Sequence, residues 1–266
     1  MANILKRLVF PAQTAQFLAG HMLIRFLYKY RHSRIIGCLP DFMSVIDAVV
    51  VDGDRTLWKG YAIEALGKAY LVKAVRELNL YKAANYAFGI ANAGLIINAY
   101  RDSDGIPNGQ KKFYDVMIEN DMGMKEEMNS IVGKHIRNNV IEKVAKIVDY
   151  YVTWNIPVLL STMAGSTTAD YAKYNFRLTD TVSNVEIFDN SKKLIGFDAK
   201  ITCGESKLAL TEEVLDRHGL KLWNCMVIGD SVYDMPMLQS AKISMASPFA
   251  SEKVLELKRI VRLEKE

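Results

Sequence analysis

The chain has 266 residues, half of them hydrophobic and 24% charged, enough to bury a sizeable core in one large domain or two smaller ones. Its three cysteines (Cys38, Cys203, Cys225) form no CxxC pair and its four histidines no ligand spacing, which argues against a disulfide framework or zinc cluster and for a reducing compartment such as the cytoplasm. No apolar run approaches the roughly 20 residues of a membrane-spanning helix.

The net charge of +4 is unevenly spread. Residues 1–40 carry Lys6, Arg7, Arg25, Lys29, Arg31 and Arg34 and no acidic residue, so the remainder is acidic by two charges. Residues 1–44 read as a separate basic leader. Phe17, Leu18, Met22, Leu23, Ile24, Phe26, Leu27 and Tyr28 suggest one amphipathic or buried helix, stopped by Gly37 and Pro40. Four readings stand for it: a helix packed on the body, peripheral contact with an anionic membrane, a transit peptide, or a partner-binding segment. The acidic body speaks against nucleic-acid binding.

Val45 to Val51 is a short β-branched run, expected as a strand buried on both faces of a parallel sheet. Residues 60–154 read as helical throughout, with an Ala/Leu/Lys/Glu-rich stretch at 62–84, an apolar stretch from Tyr86 to Tyr100, a loop at 101–110 and helical stretches at 111–122 and 124–154. Pro157 to Leu160 predicts a second buried strand. Val182 to Phe197 predicts a hairpin around Asp189-Asn190-Ser191. A helix at 205–218 ending at Gly219, a third buried strand at Cys225 to Ile228 and a fourth at Ile243 to Ala246 complete the series. Strands alternating with helices imply an α/β fold, a doubly wound parallel sheet with an all-helical insertion after its first strand. The expected organisation is leader 1–44, core 45–58 and 155–266, and helical cap 59–154.

Polar clusters follow three of these strands: Asp52-Gly53-Asp54-Arg55-Thr56, Ser161-Thr162, and Gly229-Asp230-Ser231-Val232-Tyr233-Asp234. Ligands of open α/β sheets bind beyond the carboxyl ends of the strands, so the clusters should converge. Four carboxylates in one pocket repel one another, and a hard cation such as Mg²⁺ resolves the repulsion. Lys207 opens the helix before the third strand and can add a positive charge, so that metal, lysine and hydroxyl would clamp a phosphoryl group.

The set Asp52-x-Asp54-x-Thr56, Ser161, Lys207 and Gly229-Asp230-Ser231-x-x-Asp234 resembles the haloacid dehalogenase superfamily, and most nearly its phosphoserine-phosphatase branch. The likeness spans roughly residues 45–262 and rests on four motifs in order, since DxDxT alone occurs by chance. It implies an Mg²⁺-dependent phosphomonoester hydrolase acting on phosphoserine or another small phosphorylated metabolite. Asp52 would be the nucleophile and Asp54 the general acid and base. Thr56 would orient the loop, and Ser161 and Lys207 would bind phosphate. Asp52, Asp54 through its carbonyl, and Asp230 would ligate the metal, with Asp234 acting through water.

The sequence also departs from that pattern. Arg55 stands where a small residue is usual and would either clamp an anionic substrate or face solvent. Gly53 stands where a larger apolar residue is common. Thr162-Met163-Ala164 replace the glycines expected after Ser161, and Thr162 could supply its hydroxyl instead. Lys200 is a nearby alternative to Lys207. Glu64 with Arg76 or Arg101 are candidates for a phosphoserine pocket, whereas Trp58 and Tyr61 suggest an aromatic rim. Other readings are a lipid-phosphate phosphatase recruited by the leader, a phosphotransferase, and a phosphate-binding module with a silent site. A dehalogenase would leave Asp54 and the metal carboxylates without a task.

Overall fold

The computed structural model describes residues 46–77, 80–99 and 105–264. The leader, with its expected helix and membrane contact, and Arg101 lie outside them. A sheet of seven strands forms the centre: β1 (Ala48–Val51), β2 (Val158–Gly165), β3 (Asp180–Phe188), β4 (Leu194–Asp198), β5 (Cys225–Gly229), β6 (Ile243–Ala246) and β7 (Ile260–Arg262). Their order is β4-β3-β2-β1-β5-β6-β7, and only the β3–β4 pair is antiparallel.

The buried runs explain the centre of this order. Every residue of β1 and β5 is buried, as a strand covered on both faces requires. Ala48, Val50, Leu159 and Val227 join one apolar cluster with Val214 and Leu215 of α7 (Gly204–Arg217) and Met237 and Leu238 of α8 (Met235–Ser240). The alternate residues Val49, Val51, Leu160, Met226 and Ile228 are equally buried on the opposite face. The chain passes from β1 to β2 and β3 on one side, then crosses to β5 on the other. The crevice at the carboxyl ends of β1, β2 and β5 therefore lies where the strand order reverses.

Among the described residues, five helices separate β1 from β2: α1 (Ala62–Arg76), α2 (Leu80–Ala99), α3 (Gly105–Glu119), α4 (Lys125–Asn139) and α5 (Glu142–Thr153). The loop expected at 101–110 is helical from Gly105 onward. Gly105 and Pro107 occupy its first turn, where proline's missing N–H costs no helical bond. The helix expected at 124–154 is two helices. The break at Val140 lets the chain run beside the entry segment: Lys59 N donates to Asn139 O (2.7 Å) and Ile141 N to Leu57 O (3.0 Å). Tyr86 is fully buried against the rings of Tyr70 and Phe113, so the start of the apolar stretch packs among helices.

The hairpin β3–β4 turns at Asp189, whose Oδ1 accepts Ser191 Oγ (2.7 Å) and Lys193 N (2.9 Å). It also meets the helical segment. Leu194 N donates to Gly123 O (2.9 Å), Lys125 N donates to Lys192 O (2.9 Å), and Tyr114 stacks on Phe197 with ring centres 4.1 Å apart. Between β2 and β3 stands α6 (Ser166–Asn175), and α9 (Glu252–Leu255) precedes β7.

Candidate active site

The backbone of β1 delivers Asp52, whose N–H is still held by Ile228 O of the neighbouring strand (2.9 Å). The chain then turns sharply, and the N–H groups of Thr56, Leu57 and Trp58 all converge on Gly53 O (3.1, 2.8 and 3.3 Å). Arg55 sits in this turn with φ 61°, the left-handed region that side chains other than glycine's rarely occupy, which accounts for small residues being usual there. Gly53 also has a local reason. A Cβ there would lie 2.7 Å from Trp58 Cη2 and 2.8 Å from Thr162 Oγ1. The buried Trp58 indole thus fills the space that a larger residue at 53 would take. Trp58 is no rim residue: its Nε1 donates to Asp54 Oδ1 (2.6 Å), which also accepts Ala62 N (3.0 Å).

The third cluster is organised by Asp234. Its Oδ2 accepts Asp230 N, Ser231 N and Ser231 Oγ, each at 3.0 Å, and closes the short 3₁₀ turn Val232–Asp234. Gly229 permits this, because a Cβ there would lie 2.6 Å from Asp234 Cβ. The remaining oxygen of Asp234 accepts Lys207 Nζ (2.6 Å), and Lys207 also donates to Asp52 Oδ1 (2.7 Å). Lys207 is fully buried in the first turn of α7, which Cys203 and Ser206 cap reciprocally. Lys200 instead pairs with Asp198 (2.7 Å) at the surface, so Lys207 is the lysine of the cavity. Arg55 Nη1 lies 3.1 Å from Asp230 Oδ2, and its Nη2 donates to Phe249 O.

One cavity is lined by Asp52, Asp54, Arg55, Thr162, Lys207 and Asp230. Three expected residues stay out of its lining: Asp234, which is fully buried behind Lys207 and the 230–231 backbone, Ser161 and Thr56. Ser161 is buried one residue too early on β2, and its hydroxyl pairs with Thr211 Oγ1 of α7 (2.8 Å). Strand alternation turns the next side chain the other way, so Thr162 reaches the cavity. Its Oγ1 accepts Ala164 N (3.2 Å), which leaves the hydroxyl proton free to donate. Thr56 is also buried away from the cavity, and its hydroxyl finds no partner among the described residues. Its contribution to the turn comes from its backbone N–H. Glu64 and Arg76 are exposed on α1 and do not line the cavity. Tyr61, Ile63, Met163 and Gln110 do; the sequence marks Tyr61 as a rim residue and Met163 only as a departure after Ser161, and it marks neither Ile63 nor Gln110.

The electrostatics follow from crowding in a buried place. Burial pushes Asp52 up to about 7, with Lys207 opposing and Asp234 adding to the rise. Burial pushes Asp54 up to about 6, against the Ala62 and Trp58 N–H groups that favour its ionised form. Asp230 is raised well above the usual carboxylate range by burial and then by Asp52 and Asp234, with Arg55 and Lys207 opposing. Lys207 stays charged, because its two carboxylates outweigh burial. Fully ionised, the four carboxylates would face two cations, an imbalance of two negative charges that favours uptake of protons or of a cation. Single carboxylate oxygens of Asp52, Asp230 and Asp234 lie within 4.8 Å of one another. An all-oxygen donor set with that charge fits a hard divalent cation.

The sequence pattern of the haloacid dehalogenase-like hydrolases matches residues 108–263. No curated protein matches the chain in sequence. Similar solved structures include a phospho-aspartyl intermediate analogue of phosphoserine phosphatase, 16% identical over 83% of this chain and 94% of that one, with a TM-score of 0.59. A protein of unknown function from Bordetella pertussis Tohama I is 14% identical over 81% and 98%, with a TM-score of 0.65. A cytosolic 5'-nucleotidase IIIB bound to cytidine is 15% identical over 87% and 84%, with a TM-score of 0.55. At these identities the likeness is one of fold.

Proposed function

The chain belongs to the haloacid dehalogenase-like hydrolases, and on that premise we propose that it hydrolyses a phosphate monoester through an aspartyl-phosphate formed on Asp52. The observation that carries this is the meeting of Asp52, Asp54, Lys207 and Asp230 in one cavity lining. Residues 59–154 are assigned as a cap, and 45–58 with 155–266 as the catalytic core.

Lys207 holds Asp52 Oδ1, which leaves Oδ2 as the attacking atom. As the Oδ2–phosphorus bond forms, the bond from phosphorus to the alcohol oxygen breaks, and Asp54 gives that oxygen its proton. Trp58 and Ala62 pin Asp54 Oδ1, so Oδ2 carries the proton. Asp54 then takes a proton from the water that attacks phosphorus, and Asp52 departs as the carboxylate while inorganic phosphate is released. A group near 6 suits both duties at neutral pH. Lys207, the Thr162 hydroxyl and Arg55 supply donors to the phosphate oxygens.

Mg²⁺ is the proposed metal, held by the Asp52 and Asp230 carboxylates and the Asp54 backbone carbonyl, with Asp234 acting through water. Bound there, it offsets the repulsion between an anionic nucleophile and an anionic ester. The proposed substrate is a small phosphorylated metabolite. Among the described residues no helix is long and apolar enough to cross a membrane, and the lipid-phosphate alternative depends on the leader, which lies outside them.

The decisive experiment is Asp52→Asn assayed on phenyl phosphate, with circular dichroism to verify the fold. Turnover is expected to fall at least about a thousandfold. Turnover close to wild type would overturn the assignment.

A further inference from the structure

The orientation of one side-chain amide in the cavity is fixed by a chain of hydrogen bonds. Ile201 N donates to Asn184 Oδ1 (2.8 Å), so the other end of that fully buried amide is its NH₂ group. Asn184 Nδ2 donates to Met163 O (2.7 Å) and to Gln110 Oε1 (3.1 Å), which uses both of its protons. Gln110 therefore presents its oxygen to Asn184 and keeps its Nε2 donors for the cavity that it lines. Among the described residues, the segment 61–110 adds only Tyr61 and Ile63 to that wall, and no charged group.

One oxygen of each cavity carboxylate is held by the protein, Asp52 by Lys207, Asp54 by Trp58 and Ala62, and Asp230 by Arg55, and the other is assigned above to attack, proton transfer or the metal. An ammonium group beside Gln110 would meet a donor and lose its hydration without compensation. An uncharged oxygen there would accept the amide N–H.

We propose that Gln110 is a specificity-determining residue, and that the substrate is a phosphomonoester whose alcohol portion carries an uncharged oxygen acceptor and no ammonium group. The inference rests on the phosphatase reading above and narrows it away from phosphoserine.

The test compares kcat/KM for glycerol 1-phosphate and phosphoethanolamine in the wild type, Gln110→Glu and Gln110→Leu, with phenyl phosphate as a reporter of phosphatase activity. The wild type should favour glycerol 1-phosphate at least about tenfold. Gln110→Glu keeps one oxygen for Asn184 and turns the donor into an acceptor, so it should shift the ratio towards phosphoethanolamine by about tenfold or more. Gln110→Leu should raise KM for glycerol 1-phosphate about five- to tenfold, the usual worth of one neutral hydrogen bond. A wild type that prefers phosphoethanolamine, or one ratio shared by all three proteins, would overturn the role of Gln110. If the wild type leaves phenyl phosphate untouched, the phosphatase reading fails and this inference with it. Turnover of phenyl phosphate without the preference overturns the inference alone.

Discussion

The two walls of the cavity are built on different principles. At the strand ends, charged groups answer one another: Lys207 joins Asp52 to Asp234, Arg55 faces Asp230, and Asp234 gathers three further donors. Among the described residues, the helical segment contributes one amide, one tyrosine and one isoleucine. In the proposed reaction the density of the first wall serves attack on a phosphate, which needs charge held in place before the substrate arrives. The second can be sparse because selection among alcohols needs only a few oriented groups. The strand-end wall should therefore be rigid and costly to alter, and the helical wall cheap to alter and decisive for preference.

Asp234→Ala should test that contrast most severely. The substitution removes a repelling charge from Asp52 and Asp230, which is favourable. It also takes one of two carboxylates from Lys207 and three hydrogen bonds from the turn at 230–234. Breaking a buried, hydrogen-bonded pair costs about 3–5 kcal/mol, and the lost bonds should dominate. Ile63→Ala, on the half-buried helical wall, should cost about 1 kcal/mol. Equal losses for the two variants in urea unfolding would break the contrast.

Gly53→Ala probes how packing and chemistry are joined behind the first wall. The new Cβ would crowd Trp58 and Thr162, and overpacking of this kind costs about 1–3 kcal/mol. Adding Trp58→Leu should recover most of that stability by vacating the space. It should not recover turnover, because Asp54 would still lack the indole N–H. A double variant that regains both would show that the indole only fills volume.

The same division governs what could be read from the sequence. Asp52, Asp54, Asp230 and Asp234 are legible because polar residues directly after β-branched apolar runs mark strand ends. Their convergence then follows from sheet topology. Ser161 and Thr162 could not be separated, because a strand buried on both faces shows no alternation. Only its continuation to Gly165 reveals which hydroxyl turns to the cavity. Gln110 was hidden by Gly105, Pro107 and Gly109, turn-forming residues that here occupy the first turns of a helix. Its partner Asn184 lies in a β-strand 74 residues away, a contact that no local pattern encodes.

The smallest expected effect lies at the opposite edge of the sheet, where the same residue type behaves in the opposite sense. Asp180 opens β3, and burial alone would raise its carboxyl. The bonds from Lys173 (3.0 Å), His218 (3.1 Å) and Thr181 N (2.9 Å) outweigh burial and lower it to about 2. A folded value below the unfolded value of about 3.9 stabilises the protein above that pH, and the gain is lost as pH falls through about 2. Asp180 is partly exposed, so solvent screens these contacts and the contribution is modest. In urea unfolding, Asp180→Asn should be slightly less stable than the wild type above about pH 4, with the gap narrowing steadily towards pH 2. Asp52, raised to about 7, works the other way and costs stability as pH rises from about 4 to 7. A gap that stays constant across the acid range would mean that Asp180 contributes through shape rather than charge. A narrowing gap would show that the raised carboxylates of the cavity are set apart by their burial and mutual repulsion, not by being carboxylates at the edge of this sheet.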